Sequence, residues 1–509
     1  MQTNLRRYTG NIYYDISKED MVLKRNLLFK LGAFIVGAAV VAANVTIKPD
    51  FFAPAGQVQA AVKEQPKYVF YFIGDGMGQT HRTLATLAKN NASSALKGKE
   101  LTPLVMDSFP VVGANTTQSY DSLVTDSAAA GTALASGVKT DNKSIGQTPD
   151  GKRVKTILEG AREKGLSTGL VTTTRITHAT PAAFFAHIDH RDKEAEIADQ
   201  MVNSGVDVLF GGGDRFLQPR SVKGSKRKDD RNLYEEFAAK GYKVLNNVTD
   251  FNAFDATKTA GLDKVIGIYT NSHLTWEVDR DPAKEPSLAE LTRKAINVLS
   301  ENQKGFFVMV EGGRIDHAAH QHDAAGIIKD TLAFDDAIKV AYDFYLKHPK
   351  ETLIIVAADH ETGGLGIGTM NDYFFDPAVI NSVQATMEKI GQAYLKHKNE
   401  EKLWTDFHAA TGISYSSLTD AEKASVEKAI ADTKNGVKAW NDNIESETLV
   451  GSALTEIING RAHVGFTTYA HTGSIVPLTS IGAGAADFGR MLDNTEVAKT
   501  LANLMGIKL

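Results

Sequence analysis

From Tyr68 onward the chain alternates short, almost uninterrupted apolar runs with longer stretches of helical period. The runs are YVFYFIG at 68–74, STGLVTTT at 167–174, VDVLFGGG at 206–213, GFFVMVEGG at 305–313 and ETLIIVAADH at 351–360. Apolar residues at successive rather than alternate positions predict strands covered on both faces. Between them, GKRVKTILEGAREKG and PSLAELTRKAINVLSENQK carry apolar residues at helical spacing. Strands alternating with helices predict an α/β fold, with a mostly parallel central sheet flanked by helices. Residues 371–460 break the alternation. They are polar and helical in pattern, with Trp404 and Trp440 as scattered anchors. TDAE at 419–422 has the form of a capping box, and the helix behind it is predicted to stop at Asn435-Gly436. This block reads as an inserted helical subdomain. The charge run SKRKDD at 225–230 reads as a solvated loop.

The N-terminus has a different character. Lys24, Arg25 and Lys30 precede the apolar run LGAFIVGAAVVAA, Leu31–Ala43. A basic stretch followed by an apolar one of this length predicts a secretory signal, hence a secreted or extracytoplasmic protein. The run is shorter than the roughly 20 apolar residues of a membrane span. A retained N-terminal anchor is the alternative, and it is the only route to a membrane. Cleavage would follow Ala43 or Ala60, and residues 1–20 precede Met21, which would itself serve as a start. Residues 1–62 are set aside as targeting segment and leader, leaving 63–509 as the folded domain.

Composition narrows the chemistry. A net charge of -5 gives no basic footprint for nucleic acid. The chain has no cysteine, which excludes disulfides, thiolate nucleophiles, Cys-ligated zinc and iron–sulfur clusters. A metal site must come from Asp, Glu, hydroxyls and the 14 histidines.

The predicted strands end in such residues. Asp75 follows the first, in GDGMG; Glu311 closes the fourth, before GGRIDHAAHQHD; Asp359 and His360 close the fifth. The 167–174 strand leads into RITHATPAAFFAHIDHR. Ligands of open α/β sheets bind beyond the carboxyl ends of the strands, and a polar collection like this one needs cations to hold it together. A helix starting near Arg314 would put Asp316 and His320 on one face, four residues apart. That spacing suits a divalent cation and equally a surface ion pair. AHTGS at 470–474 places His471 in a loop. VTDSAAAGTALASG at 124–137 predicts a closely packed helix stopped by Gly137, with Asp126 and Ser127 at its start.

In this order, GDGMG, TDSAAAGTALASGVKT, HATPAAFFAH…R, EGGRIDHAAH, ADHETGG and HTG closely resemble the alkaline phosphatases, from about Lys67 to Leu509. The resemblance implies a three-layer sandwich with helices on both faces of a large sheet, and a catalytic domain over 63–509. It implies hydrolysis of phosphate monoesters through a phosphoserine on Ser127, with broad specificity for small substrates. One zinc would be held by Asp316, His320 and His471. A second would be held by Asp75, Asp359 and His360, with Ser127 at an open position. A magnesium would use Asp75, Thr180 and Glu311. Mixed imidazole and carboxylate donors suit zinc, and an all-oxygen set suits magnesium. Arg191 would clamp phosphate through its planar guanidinium. Asp126 would orient Arg191, or simply cap its helix. His178 and His317 stand where some relatives carry Asp and Lys; they either weaken magnesium binding and ease phosphate release or serve as hydrogen-bond partners. His187, His190 and His322 receive no role. The family is often dimeric, which implies a homodimer. A phosphodiesterase of the same superfamily and a catalytically dead phosphate- or metal-binding protein are the competing readings. A sulfatase is disfavoured because DSAAAG lacks the Pro and Arg of a C/S-x-P-x-R motif.

Overall fold

Val69, Tyr71 and Ile73 of strand β1 (Tyr68–Ile73) enter one core, and Tyr68, Phe70 and Phe72 enter another. Successive side chains of a strand point to opposite faces, so an unbroken apolar run marks a sheet covered on both sides. The computed structural model describes residues 65–91, 98, 100–255, 264–369, 371–439 and 447–509. They lie in one compact unit, Lys63–Leu509. The apolar run Leu31–Ala43, both cleavage positions and Trp440 lie outside the described residues.

The remaining strands are β2 (Val111–Asn115), β3 (Ser167–Arg175), β4 (Val208–Gly212), β5 (Lys243–Val244), β6 (Val265–Ile268), β7 (Phe306–Glu311), β8 (Thr352–Ala357), β9 (Glu361–Thr362), β10 (Gly366–Ile367), β11 (Val464–Gly465), β12 (His471–Thr472), β13 (Val476–Gly482) and β14 (Met491–Leu492). Ten of them form one sheet in the order β14-β2-β13-β8-β1-β7-β3-β4-β6-β5. The five strands predicted from apolar runs are the five adjacent central ones, β8-β1-β7-β3-β4. All pairings in the sheet are parallel except those of β13 with β2 and β8. The flanking strands escaped prediction for local reasons. β5 and β14 have two residues each, and β13 holds Pro477 and ends on Gly482.

Helices Ser127–Ser136, Ile157–Glu163, Glu194–Ser204 and Asn494–Leu504 contribute to the core on one face of the sheet. Helices Leu288–Leu299 and Ala324–Tyr345 contribute to the core on the other. The 371–460 block is helical where described: Pro377–Asn381, Met387–His397, Glu400–Thr411, Asp420–Lys434 and Leu449–Ala462. A third core joins these helices, through Met387, Phe407, Ile430 and Leu454, to Leu84, Ala324 and Ile327 of the main body. Thr419 and Glu422 make the expected capping box. Residues 225–230 lie on the surface with one correction: Arg227 is buried, and its guanidinium forks to Asp199 (3.0 Å) and Asp229 (2.7 Å). Among the described residues, no helix is long and apolar enough to cross a membrane.

Candidate active site

The register of the central strands puts the site residues level with one another. Ile73 pairs with Glu311 on one side and with Ala357 on the other, so Asp75, Glu311 and Asp359 leave the sheet at one edge. Helix Arg314–His320 follows directly and carries Asp316 and His320. The antiparallel pair β9–β12 sets His471 opposite Thr362, returning it to the end of β8. Helix Ser127–Ser136 begins at the same edge, with Gly137 left-handed at its end as expected. Gly131 lets this helix approach the one that bears Thr180, because a Cβ there would lie 3.2 Å from that of Ala183.

Among the described residues three groups of donor atoms result, each within 4.8 Å: Asp316 with His320 and His471, Asp75 with Asp316 and His360, and Asp75 with His178 and Glu311. His320 and His471 face each other through Nε2 at 3.1 Å, with Asp316 Oδ2 at 3.4 Å from the first. His360 Nε2 lies 3.1 Å from Ser127 Oγ, 3.2 Å from Asp359 Oδ2 and 3.4 Å from Asp75 Oδ1. Thr180 Oγ1 reaches Asp75 Oδ2 at 3.4 Å. Asp359, expected with Asp75 and His360, reaches His360 Nε2 through Oδ2, and Asp316 belongs to both of the first two groups.

Hydrogen bonds fix the tautomers. His320 Nδ1 donates to the Tyr469 carbonyl (2.6 Å) and His471 Nδ1 to the Thr125 carbonyl (2.7 Å). Thr362 gives its only hydroxyl proton to Asp316 Oδ1 (2.5 Å), so it must accept from His360 Nδ1 at 3.2 Å. In their neutral forms all three rings therefore turn a bare Nε2 lone pair into the site, the arrangement of metal-bound histidines. The carboxylates are half-satisfied in the same way. Asp359 Oδ1 accepts from the amides of Gly76 (3.2 Å) and His360 (3.0 Å), while Oδ2 has no partner. Glu311 Oε2 accepts from Thr172 and Thr174, while Oε1 has none. Asp75 Oδ1 is likewise orphaned. Buried acceptors left without donors are costly, and divalent cations supply what is missing.

Electrostatics point the same way. Burial, then repulsion from Asp359, Asp316 and Glu311, pushes the Asp75 carboxyl well above the usual range. Burial, then Asp316, does the same to Asp359. Burial opposes ionisation of Asp316 too, but His320, His471 and His360 outweigh it and hold that group well below the ordinary value. Burial lowers His360 and His471. Against burial, Asp316 holds His320 above its ordinary value. Imidazoles among crowded carboxyls form a donor set that fits zinc, and Asp75, Thr180 and Glu311 fit magnesium.

Arg191 Nη1 meets Asp126 Oδ2 at 3.0 Å, while Asp126 Oδ1 caps the serine helix by accepting from the Ala129 amide (3.0 Å). The two roles expected as alternatives for Asp126 coexist, one on each oxygen. Arg191 Nη2 donates to His178 Nε2 at 3.1 Å, so the proton of neutral His178 sits on Nδ1, which is buried without a partner. His187 braces Gly146 and Glu159, away from these groups.

Sequence reasoning missed the residues behind His317. His273 packs on His317 at 4.4 Å between ring centroids, and Arg314 lies 3.5 Å over the Trp276 ring while reaching His317 Nδ1 at 3.0 Å. His273 and Trp276 sit in TNSHLTWE, which has no motif to mark it. Beside them, Asp330 is pushed up to about 8 by burial, against the pull of Arg314. Its folded value exceeds the unfolded one of about 3.9, so its contribution to stability falls as pH rises through that window. Asp330→Asn is therefore expected to melt higher than the parent at pH 9, with a smaller advantage at pH 5, in thermal melts at both values.

A parallel α/β sheet whose carboxyl edge gathers carboxylates and imidazoles around a helix-start serine defines a metal-dependent hydrolase. The alkaline phosphatase family profile matches residues 66–507, and alkaline phosphatase 3 of Bacillus subtilis (strain 168) is 35% identical over 458 residues, covering 88% of this chain and 91% of the relative. The chain belongs to the alkaline phosphatase family, enzymes that hydrolyse phosphate monoesters with divalent metal ions. The structure of Thermus thermophilus alkaline phosphatase aligns with a TM-score of 0.74 at 30% identity, over 90% of this chain and 96% of its own. A histidine-to-aspartate mutant of the enzyme from the Antarctic bacterium TAB5, described with magnesium bound in its M3 site, aligns with a TM-score of 0.60 at 25% identity, over 88% and 99%.

Proposed function

We propose that hydrolysis runs through a covalent phosphoserine on Ser127, with two zinc ions and one magnesium. The observation that carries this reading is the surrounding of Ser127 Oγ. A Ser-His-Asp relay needs a carboxylate on the histidine nitrogen remote from the serine. Here Asp75 and Asp359 flank the same His360 Nε2 that faces the serine, and the remote Nδ1 meets Thr362. Four donors thus converge on one point, as ligands do.

Asp316, His320 and His471 would hold one zinc. Asp75, Asp359 and His360 would hold the other beside Ser127. Asp75, Thr180 and Glu311 would hold magnesium. When bound, the ions supply Lewis acidity that favours the serine alkoxide and offsets charge on the transferring phosphoryl group. Ser127, at the positive end of its helix, attacks phosphorus; the bond to the alcohol oxygen breaks and the alcohol leaves with a proton from water. Water then attacks the phosphoserine, the bond from phosphorus to Oγ breaks, and phosphate departs. Arg191, oriented by Asp126, binds two phosphoryl oxygens. Arg191→Lys keeps the charge but loses the fork, so the inhibition constant for inorganic phosphate is expected to rise at least about tenfold. His178 and His317 are taken to weaken magnesium binding and ease phosphate release, which the magnesium affinity of His178→Asp tests.

Relative kcat/KM on an aryl phosphate and on its diester tests the reaction class. The monoester is expected to be the faster substrate, and faster diester cleavage would favour the phosphodiesterase reading. The N-terminal segment supports an extracytoplasmic location, and the family supports a homodimer. Cell fractionation and light scattering test these two in turn.

A further inference from the structure

The turn after His320 is gripped by the helical insertion. Gln321 Nε2 donates to Glu388 Oε2 at 2.6 Å, and Asn459 Nδ2 donates to the His322 carbonyl at 2.8 Å. Glu388 lies on helix Met387–His397 and Asn459 on helix Leu449–Ala462, both in the insertion. His322 itself has φ +55, in the left-handed region where a helix ordinarily ends on glycine. A residue with a Cβ at such a place points to work for its side chain.

That side chain reaches the other strand of the site. The imidazole stacks on Phe466 (4.4 Å between centroids, 2° between planes) and on Tyr469 (3.8 Å, 11°). Its Nε2 donates to the Thr468 carbonyl at 2.9 Å, and Nδ1 faces Glu456 at 3.5 Å. The loop it touches supplies the Tyr469 carbonyl that orients His320, and two residues later it delivers His471. One ring therefore joins the backbone behind one Nε2 donor to the loop that carries the other.

We propose that the insertion acts through His322 as a clamp on the Asp316–His320–His471 site, with His322 the positioning residue that keeps the two Nε2 atoms in facing register and slows escape of the ion held there. This rests on the reading of that group as a zinc site. Partners that orient metal-bound histidines change metal affinity by about 10–100-fold when removed.

The test uses the full-length metal-loaded enzyme and follows zinc release into excess chromophoric chelator. His322→Gly suits φ +55 and removes the stack. It is expected to release one zinc at least about tenfold faster than the parent, with the other released at the parental rate. His322→Phe keeps a stacked ring and is expected to stay close to the parent. Parental release from the Gly variant, equal acceleration of both ions, or a Phe variant as fast as the Gly variant would each overturn the clamp. Should His322→Gly not fold, Asn459→Ala combined with Glu388→Ala removes both hydrogen bonds by which the insertion grips the turn: faster release of one zinc supports the clamp, and the parental rate overturns it. A parent enzyme that holds no zinc would overturn the metal-site reading, and the clamp with it.

Discussion

Chelating the divalent cations is expected to abolish turnover and to lower the melting temperature, more at pH 9 than at pH 6.5. Asp75, Glu311 and Asp359 are completely buried at one edge of the sheet, and each keeps one oxygen without a donor. Burial, and the charges of neighbouring carboxyls for Asp75 and Asp359, raise all three above the usual carboxylate range. In the metal-free protein the folded state therefore holds protons that the unfolded chain has lost, and stability falls as pH rises above about 4. The buried imidazoles of His360, His178 and His317, lowered by burial, act in the opposite sense, but only below about pH 6.5, where the unfolded chain binds protons. Toward alkaline pH the carboxyls act together with His320, which, against burial, Asp316 holds above its ordinary value, and cations remove the penalty. Each ion at a thousandfold excess over its Kd adds about 4 kcal/mol of stability. Calorimetry with and without chelator at the two pH values checks this; an unchanged melting temperature at pH 9 would contradict it.

Ser127→Ala is expected to lower kcat/KM on an aryl phosphate by at least about 10³-fold, because loss of a covalent nucleophile leaves only binding and electrostatic catalysis. Stability should change little. Ser127 donates no capping hydrogen bond, Asp126 remains as the N-cap, and alanine suits the first turn of a helix that already reads Ala-Ala-Ala-Gly. Metal content should also stay near the parental value, since Asp75, Asp359 and His360 remain. Steady-state rates, a thermal melt and elemental analysis of the same preparation separate a lost nucleophile from a lost metal or a lost fold. Near-parental activity would count against Ser127.

The parts of the fold legible in the sequence were those whose pattern is written locally. Central parallel strands are buried on both faces, so YVFYFIG and ETLIIVAADH announce themselves. β13 is antiparallel and carries Pro477, and β5 pairs over two residues; nothing in a short window marks either. The site shows the same division. Asp316 and His320 were readable as a helical pair because four residues separate them. The Nε2 atoms of His320 and His471 meet across 151 positions, and Ser127 meets His360 across 233, so order and motif could suggest those meetings but not their geometry. Tautomers were beyond reach, since they depend on Tyr469, Thr125 and Thr362. So was His322, one of three histidines without a role until its left-handed backbone and stacked ring were seen.

The central claim is a phosphoryl group carried by Ser127. It is tested most directly by mixing the metal-loaded enzyme with a phosphate monoester, quenching in acid and mapping the digested chain by mass spectrometry. The account predicts one phosphate, on the peptide containing Ser127 and absent from Ser127→Ala. A chain turning over substrate with no phosphopeptide, or with the phosphate on another residue, would contradict it.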